Sequence, residues 1–211
     1  MKYLIIGAGG TGGILGAYMT KAGKDVTLIA RNAHLAAMKE QGLTVRHLWD
    51  GTTETVPVKA ENMETYESMI ASAGEAAKPD VILVCVKGYS LDNTVPFVQK
   101  IAKKSTIVIP ILNIYGTGSR LQKKLPELLV TDGCIYVSAN IEGPGVLVQH
   151  GKILRVVFGV REKSEFREEL KEIAKDFSDS GISGELSENI RRDALEKFSY
   201  VSPIGTADLY Y

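Results

Sequence analysis

The chain has 211 residues, of which 45% are hydrophobic, 24% charged and 7% aromatic, the mix of a globular protein with a real core rather than a disordered or low-complexity chain. Lysine plus arginine and aspartate plus glutamate each number 25, so the net charge is zero and no overall field draws the chain to nucleic acid or to an anionic membrane. Any anion site must be local. Cys85 and Cys134 both stand in apolar runs and read as small core residues of a reducing compartment, not as a disulfide framework. No apolar stretch reaches the ~20 residues of a membrane span. The N-terminus lacks the basic start and cleavage site of a signal peptide, so a cytoplasmic location is expected.

Tyr3-Leu4-Ile5-Ile6 is short, apolar and closed by glycine, which predicts a buried parallel strand. A glycine cluster from Gly7 to Gly13 follows, then a predicted helix from Ile14 to Met19 and a second strand from Val26 to Ile29. Gly7-x-Gly9-x-x-Gly12 thus sits between a strand and a helix, where it predicts dinucleotide binding. Gly7 permits the tight turn, Gly9 lets the backbone approach a pyrophosphate, and Gly12 lets the helix pack on the strand. The free N–H groups at the helix start, from Gly10, Thr11 and Gly12, would hold the phosphates. An NAD site would usually end the second strand on Asp or Glu. Here Ala30 is followed by Arg31, a guanidinium suited to a 2′-phosphate, so NADP is the expected cofactor. The alternative for Arg31 is a solvated residue at the start of the next helix.

His34 to Gln41 is a predicted helix ended by Gly42, and Leu43 to Leu48 with Thr53 to Val58 predict a hairpin around Asp50-Gly51. Trp49 beside that turn is a packing candidate. Val81 to Val86 predicts a buried strand that delivers Lys87 to its carboxyl end, as a cofactor contact or as a solvated terminus. Ser105 to Ile109 predicts another parallel strand, leading to Asn113 and the glycine-rich turn Tyr115-Gly116-Thr117-Gly118. Further strands are expected at Val130 to Val137, Gly145 to His150 and Ile153 to Phe158. The last two are expected to form a hairpin through Gly151 at the sheet's far edge. Lys163 to Ser178 has the apolar spacing of an amphipathic helix. His34, His47 and His150 lie far apart, with no metal-ligand spacing, and read as structural.

A final helix is expected from near Glu188, with Ile190, Ala194, Phe198 and Val201 on one face and Lys197 within that face. A lysine in an apolar stripe must snorkel or meet a polar partner. Pro203 is expected to break this helix and open backbone and the Ser202 hydroxyl to a small ligand.

With these residues in order, the chain resembles the ketopantoate reductase (2-dehydropantoate 2-reductase) family, NADPH-dependent enzymes of pantothenate synthesis. The resemblance rests on Ile5-Ile6-Gly7-Ala8-Gly9-Gly10-Thr11-Gly12-Gly13, Val26-Thr27-Leu28-Ile29-Ala30-Arg31, Val84-Cys85-Val86-Lys87, Leu112-Asn113-Ile114-Tyr115-Gly116 and Leu195-Glu196-Lys197-Phe198. It implies an α/β Rossmann-type fold, a mostly parallel sheet with helices on both faces, over residues 1–184. Residues 185–211 would then open an all-α substrate domain. It implies that Gly7, Gly9 and Gly12 cradle the pyrophosphate, Arg31 holds the 2′-phosphate, and Lys87 and Asn113 line the nicotinamide side. Lys197 would be the general acid in reduction of a small 2-keto acid, with Asn113 and Ser202 as substrate contacts. Val201 and Gly205 stand where the family often has asparagine, which leaves the acid itself open. The chain also stops where the family's helical domain begins, so a shortened chain is expected, with its last helix packed on the nucleotide domain or on a second copy as a homodimer. A nucleotide-binding module without turnover, and a related reductase of another keto acid, are the alternatives. No metal, nucleic acid or membrane partner is expected.

Overall fold

The computed structural model of the protein describes residues 1–207, with side chains as far as Val201. In chain order the first elements are β1 (Lys2–Ile6), α1 (Gly10–Lys21), β2 (Asp25–Ile29), α2 (Asn32–Gln41), β3 (Leu43–His47) and β4 (Thr53–Val56). Next come β5 (Lys59–Glu61), α3 (Met63–Ala73), β6 (Val81–Val84), α4 (Val95–Ile101), β7 (Ile107–Pro110) and α5 (Thr117–Lys124). The remaining elements are β8 (Leu129–Val130), β9 (Asp132–Tyr136), β10 (Ala139–Gly143), β11 (Val146–Gln149), β12 (Arg155–Gly159), α6 (Glu169–Asp179), β13 (Ser183–Leu186) and α7 (Ile190–Ala207).

Six of these strands form one parallel sheet in the order β5-β2-β1-β6-β7-β8. Successive residues of its central strands face opposite ways, and both faces are apolar because both are covered. Tyr3 and Ile5 of β1 and Val81 and Leu83 of β6 pack with Ile14, Leu15 and Met19 of α1 and Leu170, Ile173 and Phe177 of α6. Leu4 and Ile6, with Ile82 and Val84, pack on the other side with Tyr66 and Ile70 of α3, Phe97 and Val98 of α4, and Leu121 of α5. The chain runs outward from β1 through β2 to β5, then returns to β6 on the far side of β1. That reversal is the switch point of a Rossmann sheet, where a crevice opens beyond the carboxyl ends of the strands.

The hairpin of β3 and β4 forms as expected. The hairpin expected through Gly151 does not. β11 pairs antiparallel with β10 and parallel with β3 in a second sheet, β10-β11-β3-β4, while β12 pairs with β9 and β13 in a third. Both edges of β11 are already satisfied, so Gly151 carries the chain between sheets instead of turning it back on itself. The single strand expected over Val130 to Val137 is likewise split, β8 closing the parallel sheet and β9 joining the third.

α7 is preceded by Asn189, whose Oδ1 accepts the Arg192 N–H at 3.2 Å, and lies against β9 and β12. Ile190 is fully buried with Cys134 and Val157. The break expected at Pro203 does not end the helix, which runs on to Ala207. A proline withdraws one hydrogen bond from the ladder, and the remaining bonds carry the helix past it. Among the described residues no helix is long and apolar enough to cross a membrane.

Candidate active site

The glycine turn forms because Gly7, Gly10 and Gly12 admit no side chain, Gly10 because a Cβ there would lie 2.3 Å from the Ala139 carbonyl oxygen. Gly7 has φ +102°, and a Cβ there would lie 2.9 Å from the Cys85 carbonyl oxygen. A Cβ on Gly12 would lie 2.0 Å from the Gly7 carbonyl oxygen, so α1 packs against the turn only as glycine. Gly9 differs. Its φ of −77° and ψ of −165° suit any residue, yet a Cβ there would meet nothing within 4 Å. The backbone at Gly9 therefore borders open space. No side chain caps α1 and no acid stands in its first turn. The first N–H to bond back into the helix is that of Gly13, to Gly9 O at 2.7 Å. The N–H groups of Gly10, Thr11 and Gly12 are left at an uncompensated positive helix end, a donor set that fits a pyrophosphate.

The neighbouring segments are registered to this turn by the sheet. Gly7 N–H donates to Ile29 O at 3.1 Å, Cys85 N–H to Ile6 O at 2.8 Å, and Ile111 N–H to Val84 O at 2.8 Å. The exits of β1, β2, β6 and β7 therefore share one edge, which carries Arg31, Lys87 and Asn113. Arg31 and Lys87 are exposed there, and neither forms an ion pair among the described residues. β5 brings Glu61 beside Ala30, but Lys39 holds that carboxylate at 2.5 Å. Arg31 is thus the free charge at the end of β2. A guanidinium in this position could hold an anionic group of a nucleotide.

Lys197 is buried, only 7% exposed, on the inner side of α7. Its Nζ does not snorkel to water. It donates to Asn113 Oδ1 at 2.5 Å and lies 5.5 Å from the centre of the Tyr136 ring. Burial pushes the Lys197 ammonium below the ordinary lysine value, outweighing the opposite influence of Cys134. Leu112, Tyr115, Cys134, Phe198 and Val201 line the narrow cavity of about 10 Å³ around Asn113 and Lys197, so that its polar groups are few. Phe198 is itself half-exposed, its ring 6.3 Å from that of Tyr115. The side chain of Ser202, expected to contact substrate, lies outside the described residues.

The structure brings Lys197 to Asn113, and Asn113 to the sheet edge that carries the glycine turn and Lys87. Tyr136 was not legible as a site residue, because only the pairing of β9 with β12 and the packing of α7 place it under Lys197. The cysteines are free, and burial pushes the Cys85 thiol up to about 12, which disfavours its thiolate. A cleft of about 620 Å³ between Tyr18, His47, Trp49 and Asp179 lies by the carboxyl end of α1, the end remote from the glycine turn. Among the described residues no group of three His, Cys, Asp or Glu side chains is placed to hold a metal ion.

Over residues 3–163 the chain matches the family described as Ketopantoate reductase PanE/ApbA. The chain belongs to the ketopantoate reductase family. It is 30% identical to the 2-dehydropantoate 2-reductase of Pyrococcus horikoshii over 216 residues, covering 97% of this chain and 63% of that protein. It is 26% identical to the uncharacterized oxidoreductase YkpB of Bacillus subtilis, covering 96% of this chain and 62% of that one. The chain therefore spans 62–63% of the length of these two curated relatives. The crystal structure of 2-dehydropantoate 2-reductase from Porphyromonas gingivalis W83 superposes with a TM-score of 0.85 at 26% identity, over 100% of this chain and 72% of that one. A second structural neighbour is D-mandelate dehydrogenase in its ternary structure with NADH and anilino(oxo)acetate. It matches with a TM-score of 0.77 at 26% identity, over 92% of this chain and 59% of that one.

Proposed function

We propose that this chain carries the cofactor half and the general acid of an NADPH-dependent reductase of a small 2-keto acid, with ketopantoate the first candidate substrate. The observation that supports it best is the buried Lys197 held on Asn113 at the sheet edge where the glycine turn opens. Gly7, Gly9 and the amides of Gly10, Thr11 and Gly12 would take the pyrophosphate, Arg31 the 2′-phosphate, and Lys87 and Asn113 the nicotinamide side. A bound reduced nicotinamide supplies hydride to the ketone carbon.

The chain's own part is the proton. Lys197 gives it from Nζ to the ketone oxygen, neutralising the alkoxide as it forms. Burial favours the neutral amine over the ammonium, so loss of the proton relieves a desolvated charge instead of creating one. The Asn113 carbonyl, as acceptor, fixes the direction of the ammonium before substrate arrives. NADPH is favoured over NADH by the unpaired Arg31 and by the engagement of Glu61 with Lys39. The apolar lining near Val201 makes ketopantoate one member of a panel that includes 2-keto acids with plain hydrocarbon side chains.

The test is oxidation of NADPH by this chain with ketopantoate and that panel, repeated on Lys197→Ala. Turnover that disappears in the variant supports the proposal. Tight NADPH binding with no turnover on any keto acid would leave a nucleotide-binding module instead.

A further inference from the structure

The glycine turn is held from outside by an imidazole. His34 lies in the first turn of α2, three residues after Arg31. Its Nε2 is 2.8 Å from Ala8 O, and its Nδ1 is 2.9 Å from the Gly145 nitrogen. A backbone N–H only donates and a carbonyl only accepts. Nδ1 must therefore be the bare nitrogen that accepts from Gly145, and Nε2 must carry the hydrogen given to Ala8. The neutral imidazole with its hydrogen on Nε2 satisfies both partners, whereas the other tautomer or the imidazolium would set N–H against N–H. Gly145, at φ +73° between β10 and β11, is itself a rigid turn position.

The bond to Ala8 has a consequence for its neighbour. The Ala8 carbonyl and the Gly9 N–H belong to one planar trans peptide and point in opposite directions. Drawing the carbonyl toward α2 turns the Gly9 N–H away from it. The same side chain ties the start of α2, which carries Arg31, to the turn that carries the phosphate amides. We infer that His34 is a positioning residue for the dinucleotide, setting the peptide plane at Gly9 and the separation between that turn and Arg31 through a two-ended tie to Ala8 and Gly145. This rests on the proposal that the Gly7–Gly12 turn binds a dinucleotide.

The test uses the wild-type chain, His34→Ala and His34→Gln. A glutamine amide offers one acceptor and a donor, so it can replace both ends of the tie, and alanine replaces neither. Calorimetric titration with NADPH is expected to give about tenfold weaker binding for His34→Ala, the scale of one or two lost hydrogen bonds, and recovery of most of that loss in His34→Gln. In the cofactor-free protein, amide exchange at Gly145 should accelerate in His34→Ala while Ile5 and Leu83 in the parallel sheet keep their protection. The wild-type imidazole should give the ¹⁵N signature of the Nε2–H tautomer. Unchanged NADPH affinity in His34→Ala, or no recovery in His34→Gln, overturns the inference. Should His34→Ala fail to fold, the tautomer decides, and an Nδ1–H signature overturns it. If the wild-type chain binds no nicotinamide nucleotide, the cofactor proposal itself falls, whereas wild-type binding that ignores His34 removes only this inference.

Discussion

Gly9→Ala and Gly12→Ala add the same methyl group three residues apart and should fail in opposite ways. At Gly9 the φ of −77° is open to alanine and the new Cβ meets no atom within 4 Å, so the fold has no reason to suffer. Loss of glycine's freedom in the unfolded chain should even stabilise by about 0.4–1 kcal/mol. The methyl would stand in the space that a pyrophosphate must enter, and NADPH affinity should fall at least about tenfold, or ~1.4 kcal/mol. At Gly12 the Cβ would lie 2.0 Å from Gly7 O and 2.9 Å from Cys85 Cβ, against backbone that cannot swing aside. Overpacking of this kind costs about 1–3 kcal/mol, more than the ~1 kcal/mol gained from alanine's helix propensity. The Tm should drop by several degrees, at about 2–4 °C per kcal/mol for a chain of this size. Thermal unfolding without cofactor and calorimetric titration with NADPH measure both quantities. A Gly9→Ala protein that binds NADPH as the wild type does would show that the space beside Gly9 is not a phosphate site.

Three other outcomes follow from single side chains. Arg31→Ala should weaken NADPH by about 1.5–3 kcal/mol, the scale of a hydrogen bond to a charged group, and leave NADH nearly unchanged; equal losses in paired titrations would remove the 2′-phosphate role. Lys197→Met should lower turnover at least about 100-fold yet raise stability to urea at neutral pH, because it removes a buried charge while the exposed Asn113 turns to water. Burial lowers the folded Lys197 value, so the unfolded chain holds a proton that the folded one releases, and wild-type stability gains on the variant as pH rises from that value toward 10.5. Asp176 joins α6 to β1 by accepting from Tyr3 Oη and Lys24 Nζ, each at 2.7 Å. Burial, the largest single influence, would raise its carboxyl, but these two bonds together with the charges of Lys24 and the N-terminus hold it below the ordinary 3.8. Asp176→Asn should therefore destabilise by about 1.5–3 kcal/mol at neutral pH, and in denaturant titrations the difference should be full above about 3.8 and vanish as pH falls through the lower folded value.

The parts of the fold that repeat a local rule were legible. The strand, glycine turn, helix and strand of β1 to β2 lie within one short segment, and the hairpin of β3 and β4 announces itself by Asp50-Gly51. The face of α7 that holds Ile190 and Lys197 follows from 100° arithmetic, but the partner of Lys197 does not, since Asn113 lies 84 residues away. The assignment of β11 and β12 to different sheets depends on which edges β3 and β9 leave open, a tertiary fact with no sequence period. α3, α4 and α5 are not among the elements that the apolar pattern predicts. α3 carried a legible start, since Asn62 Oδ1 accepts the Thr65 N–H at 2.7 Å and Tyr66 and Ile70 share a face. α5 begins within the glycine-rich turn and buries little beyond Leu121, so its polar surface concealed it. His34 read as structural, which its two main-chain bonds support; what they hold was visible only once Ala8 and Gly145 were placed.

The most direct test of the central claim is amide mapping by ¹⁵N NMR as NADPH is added to the chain. The largest shifts are expected at Gly9, Gly10, Thr11 and Gly12, with Arg31 moving for NADPH and not for NADH. Spectra unchanged by either nucleotide, or shifts gathered away from the carboxyl edge of the parallel sheet, would contradict it.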